Sequence, residues 1–100
     1  MINNKIRDFI AEEHEESVIF NVPNYDNAIV GIAEGGRIIY NHDLMIAELM
    51  FDMHLTAEEA IEFIDYNTLR TLPYIEESGR PIIMFNAENI KEIKYDSDQT

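Results

Sequence analysis

Asp65, Tyr66, Asn67 and Arg70 follow one another closely inside EEAIEFIDYNTLRTLPYI, residues 58 to 75, and all four are side chains that read ligands. An arginine among tyrosines and an asparagine amide is equipment for holding an anion, because the planar guanidinium matches phosphate or carboxylate with two parallel hydrogen bonds. On a helix Asp65 and Leu69 share one face, Tyr66 and Arg70 another, and Asn67 lies between them. The candidate ligand pocket is therefore Tyr40, Tyr66, Asn67, Arg70 and Tyr74, with Arg70 as the anion reader. The competing reading is architectural, and the residue types favour it. Arg70 would serve the helix C-terminus, where a cation is stabilised by about 0.3 to 1 kcal/mol. Tyr66 would simply pack, and Asp65, Asn67 and Arg70 would close hydrogen bonds around the helix end and the turn toward Pro73.

Other constellations carry less chemistry. His42 and His54 are twelve residues apart at the two ends of one helical stretch, and His14 lies on another, so no pair has the four-residue spacing that turns two imidazoles to one metal. The carboxylate pairs Glu12/Glu13, Glu15/Glu16, Glu58/Glu59 and Glu76/Glu77 are sequence neighbours. Neighbours diverge on a helix, whereas acid/base catalysis needs a buried, convergent pair. Gly35-Gly36 lies between two β-rich runs rather than ahead of a helix, which does not suit a phosphate cradle. The chain has no cysteine, hence no disulfide frame, thiolate nucleophile or thiolate metal site. These residues lead us to expect no catalytic site, no metal and no cofactor.

Charge is the strongest compositional signal. Twenty acids face seven bases, for a net charge of −13 over 100 residues. Between Arg7 and Arg37 the chain has no base but carries Asp8, Glu12, Glu13, Glu15, Glu16, Asp26 and Glu34. Between Arg37 and Arg70 it again has no base, and carries Asp43, Glu48, Asp52, Glu58, Glu59, Glu62 and Asp65. Such a field repels nucleic acid and anionic membrane and accelerates encounter with basic partners. The candidate partner-binding residues are Glu12, Glu13, Glu15 and Glu16 on one stretch and Glu58, Glu59 and Glu62 on another. With 46% hydrophobic residues the chain has enough apolar surface to fold, and its length suits one domain spanning 1 to 100. The polar, amphipathic N-terminal stretch lacks the apolar core expected of a signal peptide, and no apolar run approaches the roughly 20 residues of a spanning helix. A soluble, cytoplasmic protein in a reducing compartment is the expectation.

The elements that must position these residues follow from periodicity. Ile2, Ile6, Phe9, Ile10 and Glu13 recur at three and four, predicting a helix over 2 to 13. SVIFNV, 17 to 22, reads as a short strand whose following Pro23 suits a sheet edge. NAIVGIAEGGRIIY predicts strands at 28 to 33 and 37 to 40, joined as an antiparallel hairpin through Glu34-Gly35-Gly36. Asn41 is a candidate N-cap for a helix over 42 to 53, whose wide apolar arc needs more than one neighbour and points to a homodimer. Thr56 and Glu59 have capping-box spacing and open a third helix, which Pro73 should stop near 69 to 71. EESGR is a loop, PIIMF a last strand at 81 to 85, residues 87 to 95 suit either helix or strand, and DSDQT is a frayed tail. The order predicts an α+β domain with a small, mostly antiparallel sheet of three to four strands and helices packed on one face.

YDNAIVGIAEGGRIIYNHDLMIAELM, followed by LTAEEAIEFIDYNTLRTLPY and PIIMF, resembles a group of short, uncharacterised proteins encoded by bacteriophages and prophages. The likeness runs from about Tyr25 to Phe85. It rests on the aromatic-Asp-x-Ala-Ile-x-Gly start, the Gly-Arg-x-x-Tyr hairpin exit, the Met-x-x-x-Leu-Met helix, the Asp-Tyr-Asn-Thr-x-Arg core and the Pro-Ile-Ile strand. It departs at Thr71, where alanine is the family residue, and the N-terminal helix lies outside the pattern. No activity comes with the group. What the resemblance implies is context, since small acidic phage proteins are often inhibitors of host defence, anti-CRISPR proteins among them. The expectation is thus a protein that binds and inhibits a host nucleic-acid-binding defence factor through that factor's basic surface, as a nucleic-acid mimic. The alternatives are a homo-oligomer that sequesters a nucleotide signal, which a buried Arg70 near tyrosines would favour, and a phage structural or assembly protein.

Overall fold

The computed structural model describes residues 2–21 and 23–87. From residue 88 onward the ambiguous stretch and the tail lie outside the described residues. The first helix, α1, spans Ile2–Glu13 and turns Ile10 into the core. A short 3-10 turn over Asp26–Ala28 leads into β1, Ile29–Ile32, and the chain then reverses into β2, Ile38–Asn41. The two strands pair antiparallel as the glycines predict, with Ile29 opposite Tyr40 and Ile32 opposite Ile38, and a bulge between Ile29 and Gly31. Both Gly35 and Gly36 have φ of 95°, the left-handed region in which a side chain would be strained.

Asn41 ends β2 and caps the next helix, α2 over His42–Met53, its side chain accepting from Leu44 N–H at 3.0 Å. At the other end His54 takes the left-handed conformation, φ 56°, that closes many helices. Thr56 and Glu59 form the expected capping box at the start of α3, Ala57–Asn67: Glu59 N–H donates to Thr56 Oγ1 at 3.1 Å, and Thr56 N–H donates to Glu59 Oε1 at 2.9 Å. The chain continues through a 3-10 helix, Leu69–Tyr74, and a 3-10 turn at Glu77–Gly79, into β3, Ile82–Met84. The chain is thus α+β, with three helices beside a three-stranded sheet of order β1-β2-β3 among the described residues.

Three expectations need correction. The sheet is mixed rather than mostly antiparallel, because β3 runs parallel to β2, with Ile39, Tyr40 and Asn41 opposite Ile82, Ile83 and Met84. A chain that leaves β2 through two helices and returns along the same side arrives in the original direction, as crossover connections do. Residues 17 to 22 form no strand in the described part. Instead Val18 N–H donates to Gly79 O at 2.9 Å and Phe20 N–H to the Tyr40 hydroxyl at 3.0 Å, so groups outside any ladder satisfy this backbone. Pro73 does not keep Leu72 out of helical structure; α3 ends at Asn67, and the tighter 3-10 winding runs through Pro73 to Tyr74.

The helices pack on the sheet face to which Ile38 and Tyr40 point, both fully buried. Ile10, Tyr25, Ala28, Met45, Leu49, Ala60 and Ile64 complete that core, with Ile19 and Phe20 against it. Phe20, Tyr25 and Tyr40 form an aromatic cluster, the Phe20 and Tyr40 centroids 4.8 Å apart.

Candidate functional site

The acidic residues singled out by charge patterning lie at the surface in two groups. Glu12 and Glu13 end α1, Glu15 and Glu16 occupy the turn after it, and all four are exposed. That turn is held from two sides. The Ser17 hydroxyl donates to Gly36 O at the hairpin tip. Gly79 lies so close beneath that a Cβ would sit 2.5 Å from the Glu16 carbonyl oxygen. A polar cleft of about 340 Å³ opens here, lined by Glu13, His14, Glu15, Glu16, Ser17 and Ser78. On α3, Glu58, Glu59 and Glu62 are exposed, and Glu58, Glu62 and Asp65 recur at four and three residues to form one stripe. Their steps along the axis are about 6 and 4.5 Å from the helical rise. Glu59 has a second task, since its carboxylate is half of the capping box.

Why these acids stay unneutralised follows from where the bases point. Arg7 binds the buried carboxylate of Asp26 and donates to Phe20 O at 3.0 Å. Arg37 Nε donates to Arg80 O at 2.8 Å, tying the hairpin to the segment ahead of β3. Arg80 wraps Ile75 O with Nε and Nη2 at 3.1 and 2.9 Å. Three of the five bases among the described residues thus serve the fold, and the ion pairs among those residues are Arg7 with Asp26 and Arg70 with Asp65. Among the described residues Glu12, Glu13, Glu15, Glu16, Glu58 and Glu62 have no ion-pair partner within 4 Å.

The pocket proposed around Arg70 is not assembled. Tyr40 is fully buried, its hydroxyl accepts from Phe20 N–H, and it has no surface to offer a ligand. Tyr66 and Tyr74 are 67% and 90% exposed. Arg70 stacks over the Tyr66 ring, 4.9 Å from its centroid, and its Nε is 3.9 Å from Asp65 Oδ2, with both charged groups mostly in solvent. Asn67 Nδ2 donates to Phe63 O at 3.2 Å, one turn back. The polar residue of this stretch that enters the core is Thr68, whose hydroxyl lies 3.4 Å from that of Tyr25 and whose carbonyl accepts from the Thr71 hydroxyl at 2.7 Å.

Burial sets the titration of the interior groups. It pushes the Tyr40 hydroxyl up to about 12 and raises that of Tyr25, and it lowers His42, whose ring stacks on Phe85 at 4.5 Å. Sequence reasoning missed Thr68 and Asp26. Neither has a spacing signature: each is a lone polar residue whose partner comes from a distant element. Among the described residues no group of three or more His, Cys, Asp or Glu could hold a metal ion, and no helix is long and apolar enough to cross a membrane.

In comparisons with protein-family models, curated proteins and solved structures, the chain has no match.

Proposed function

We propose that the protein binds and inhibits a host nucleic-acid-binding defence factor, its carboxylates standing in for phosphates on that factor's basic surface. The observation that supports this reading is the disposition of the charges. Arg7, Arg37 and Arg80 are turned onto Asp26 and backbone carbonyls, while Glu12, Glu13, Glu15, Glu16, Glu58 and Glu62 face solvent with no ion-pair partner among the described residues. Electrostatics of this kind dominate the binding of nucleic acid by basic channels, and a rigid acidic surface borrows them. Single exposed pairs contribute only about 0 to 1 kcal/mol, so the surface acts through many acids at once and weakens as salt screens them. The resemblance to short phage proteins supplies the biological setting. Nothing in the exposed, loosely paired Arg70 and Tyr66 favours the nucleotide-sequestering alternative.

The test is capture of proteins from a host lysate on the immobilised full chain, at low and at high salt, followed by a challenge with duplex DNA. The expected result is a nucleic-acid-binding protein retained at low salt and displaced by DNA. Charge reversal of Glu12, Glu13, Glu15 and Glu16, or of Glu58 and Glu62 with Glu59→Gln to keep the capping box, should reduce that capture without unfolding the chain. Folded variants of both sets that capture the same protein as well as the parent at every salt concentration would remove the reading.

A further inference from the structure

Met45 and Leu49 are the side chains by which α2 enters the core; much of the rest of its apolar surface faces water. Phe51 is 81% exposed, and Leu44, Met50 and Met53 are 43, 41 and 43% exposed. Two open clefts flank this ridge. One, of about 430 Å³, has Leu44, Ala47 and Phe51 among its walls, and the other, of about 480 Å³, has Pro23, Met53 and Phe63. Asp52 lies on the rim of both, so the two clefts adjoin there. A protruding aromatic ring with Leu44 and Ala47 along the same side of α2 is the composition of a binding surface with a central anchor.

The rim decides what fits. Glu48 and Asp52 stand one helical turn apart on the same side of α2, and burial, with the neighbouring Asp52 adding to it, raises the Glu48 carboxyl. Asn27 Nδ2 donates to Glu48 Oε1 at 3.1 Å, and among the described residues no Lys or Arg lines either cleft. Two acidic side chains on one turn of the rim are relieved by a cation and disfavoured further by more anions. A second copy would bring another Glu48–Asp52 pair and another net charge of −13 to the contact, which like-charge repulsion opposes.

We propose that this face of α2 seats a cationic amphipathic segment of the partner protein, apolar residues over Phe51 and lysines or arginines against Glu48 and Asp52. The proposal rests on the reading of the protein as a binder of a basic partner, but it places the anchor on a surface separate from the acids of α1 and α3. The binding mode is an amphipathic helix laid on an apolar surface, with the acidic rim setting its orientation.

The experiment measures binding of a fluorescein-labelled 18-residue Leu/Lys helical peptide to the full chain by anisotropy, beside a Leu/Glu peptide of the same pattern. The Leu/Lys peptide should bind and the Leu/Glu peptide should not. Phe51→Ala should weaken binding by about 30-fold, as loss of a central aromatic anchor does. Glu48→Gln with Asp52→Asn should weaken it too and flatten its salt dependence, while Tyr74→Ala, at an equally exposed ring elsewhere, should change nothing. Circular dichroism melts establish that each variant is folded. Unchanged affinity in folded Phe51→Ala, or equal binding of the Leu/Glu peptide, would overturn the proposal. So would a dimer in light scattering that Phe51→Ala dissociates and the Leu/Lys peptide does not, because the occupant would then be a second copy. Lysate capture that depends on the α1 and α3 acids, alongside indifference to Phe51, would leave the acidic-mimic reading standing and this one alone refuted.

Discussion

Asp26 is buried with one carboxylate oxygen held by Arg7 from α1, while its other oxygen, Oδ1, has no hydrogen-bond partner among the described residues. Taking such a charge out of water is costly, and the guanidinium compensates it while fixing α1 to the turn ahead of β1. Removing only the cation leaves the carboxylate stranded. Arg7→Met should therefore cost about 3 kcal/mol, the lower end of the range for broken buried pairs, because the Arg7 side chain keeps 30% of its exposure. Replacing both partners, Arg7→Met with Asp26→Leu, should restore more than half of the loss, since a well-packed apolar pair carries no desolvation penalty. Urea unfolding of the three variants checks this, and strictly additive losses would contradict it.

What the sequence made legible was local. The Gly35-Gly36 reversal, the Asn41 cap and the Thr56/Glu59 capping box all come from interactions within a few residues, and each forms where periodicity and cap chemistry placed it. The direction of β3 was not local: it depends on how α2 and α3 carry the chain back along one side of the sheet. Residues 17 to 22 have strand-like composition, yet their backbone partners are Gly79 and the Tyr40 hydroxyl, which no short-range pattern connects to them. The acidic residues were readable because charged side chains seldom leave the surface. Tyr40 belongs to no surface pocket, because the alternation Ile38, Ile39, Tyr40 puts it on the same side of the strand as Ile38, the buried side. Thr68 and Asp26 were invisible because a single buried hydroxyl or carboxylate has no period.

Gly79 has no conformational reason to be glycine that the backbone reveals, but it has a steric one. A Cβ there would lie 2.5 Å from Glu16 O, a backbone atom held by Val18 N–H bonding to Gly79 O. Gly79→Ala must push the turn after α1 outward and should destabilise the fold by about 1 to 3 kcal/mol, the usual range for an overpacked site. Gly35, with φ of 95° but open space around it, should accept Asn with less than half that loss. Thermal melts of the two variants check the order, and a Gly79→Ala variant as stable as Gly35→Asn would refute the close approach.

Tyr40 and His42 should bracket the pH range of full stability. Burial moves the Tyr40 hydroxyl up to about 12, so above pH 10 the unfolded chain loses this proton while the folded one keeps it. Stability then falls as pH rises from about 10 to 12, by up to about 1.4 kcal/mol per unit. Tyr40→Phe should begin lower at pH 8, because Phe20 N–H loses its acceptor, and should run flatter above pH 10. Burial lowers His42, against an opposing contribution from Asp43, so the unfolded chain takes up a proton more readily below about 6.5 and stability falls with pH there. His42→Phe should flatten that limb. Denaturant midpoints measured from pH 5 to 11 check both differences, and parallel curves for wild type and variants would contradict them.

The stretch DYNTLR separates into residues that hold the fold and residues that merely touch each other in solvent. Arg70 reaches Asp65 at 3.9 Å and the Tyr66 ring at 4.9 Å, but all three side chains are well exposed, where an ion pair contributes about 0 to 1 kcal/mol and a cation–π contact about 0.5 to 1. Arg70→Ala should therefore cost no more than about 1 kcal/mol. Thr68 is the buried one: its hydroxyl meets that of Tyr25, and its carbonyl accepts from the Thr71 hydroxyl at 2.7 Å just where α3 gives way to 3-10 winding. Thr68→Val keeps the shape and leaves the Tyr25 hydroxyl unpaired in the interior, which should cost about 1 to 3 kcal/mol. Tyr25→Phe in the same background should recover part of that loss, because two apolar groups replace one orphaned hydroxyl. Equilibrium urea unfolding of Arg70→Ala, Thr68→Val and the Thr68→Val/Tyr25→Phe pair tests the division. A larger loss at Arg70 than at Thr68 would show that the exposed contacts, rather than the buried hydroxyls, hold the end of α3.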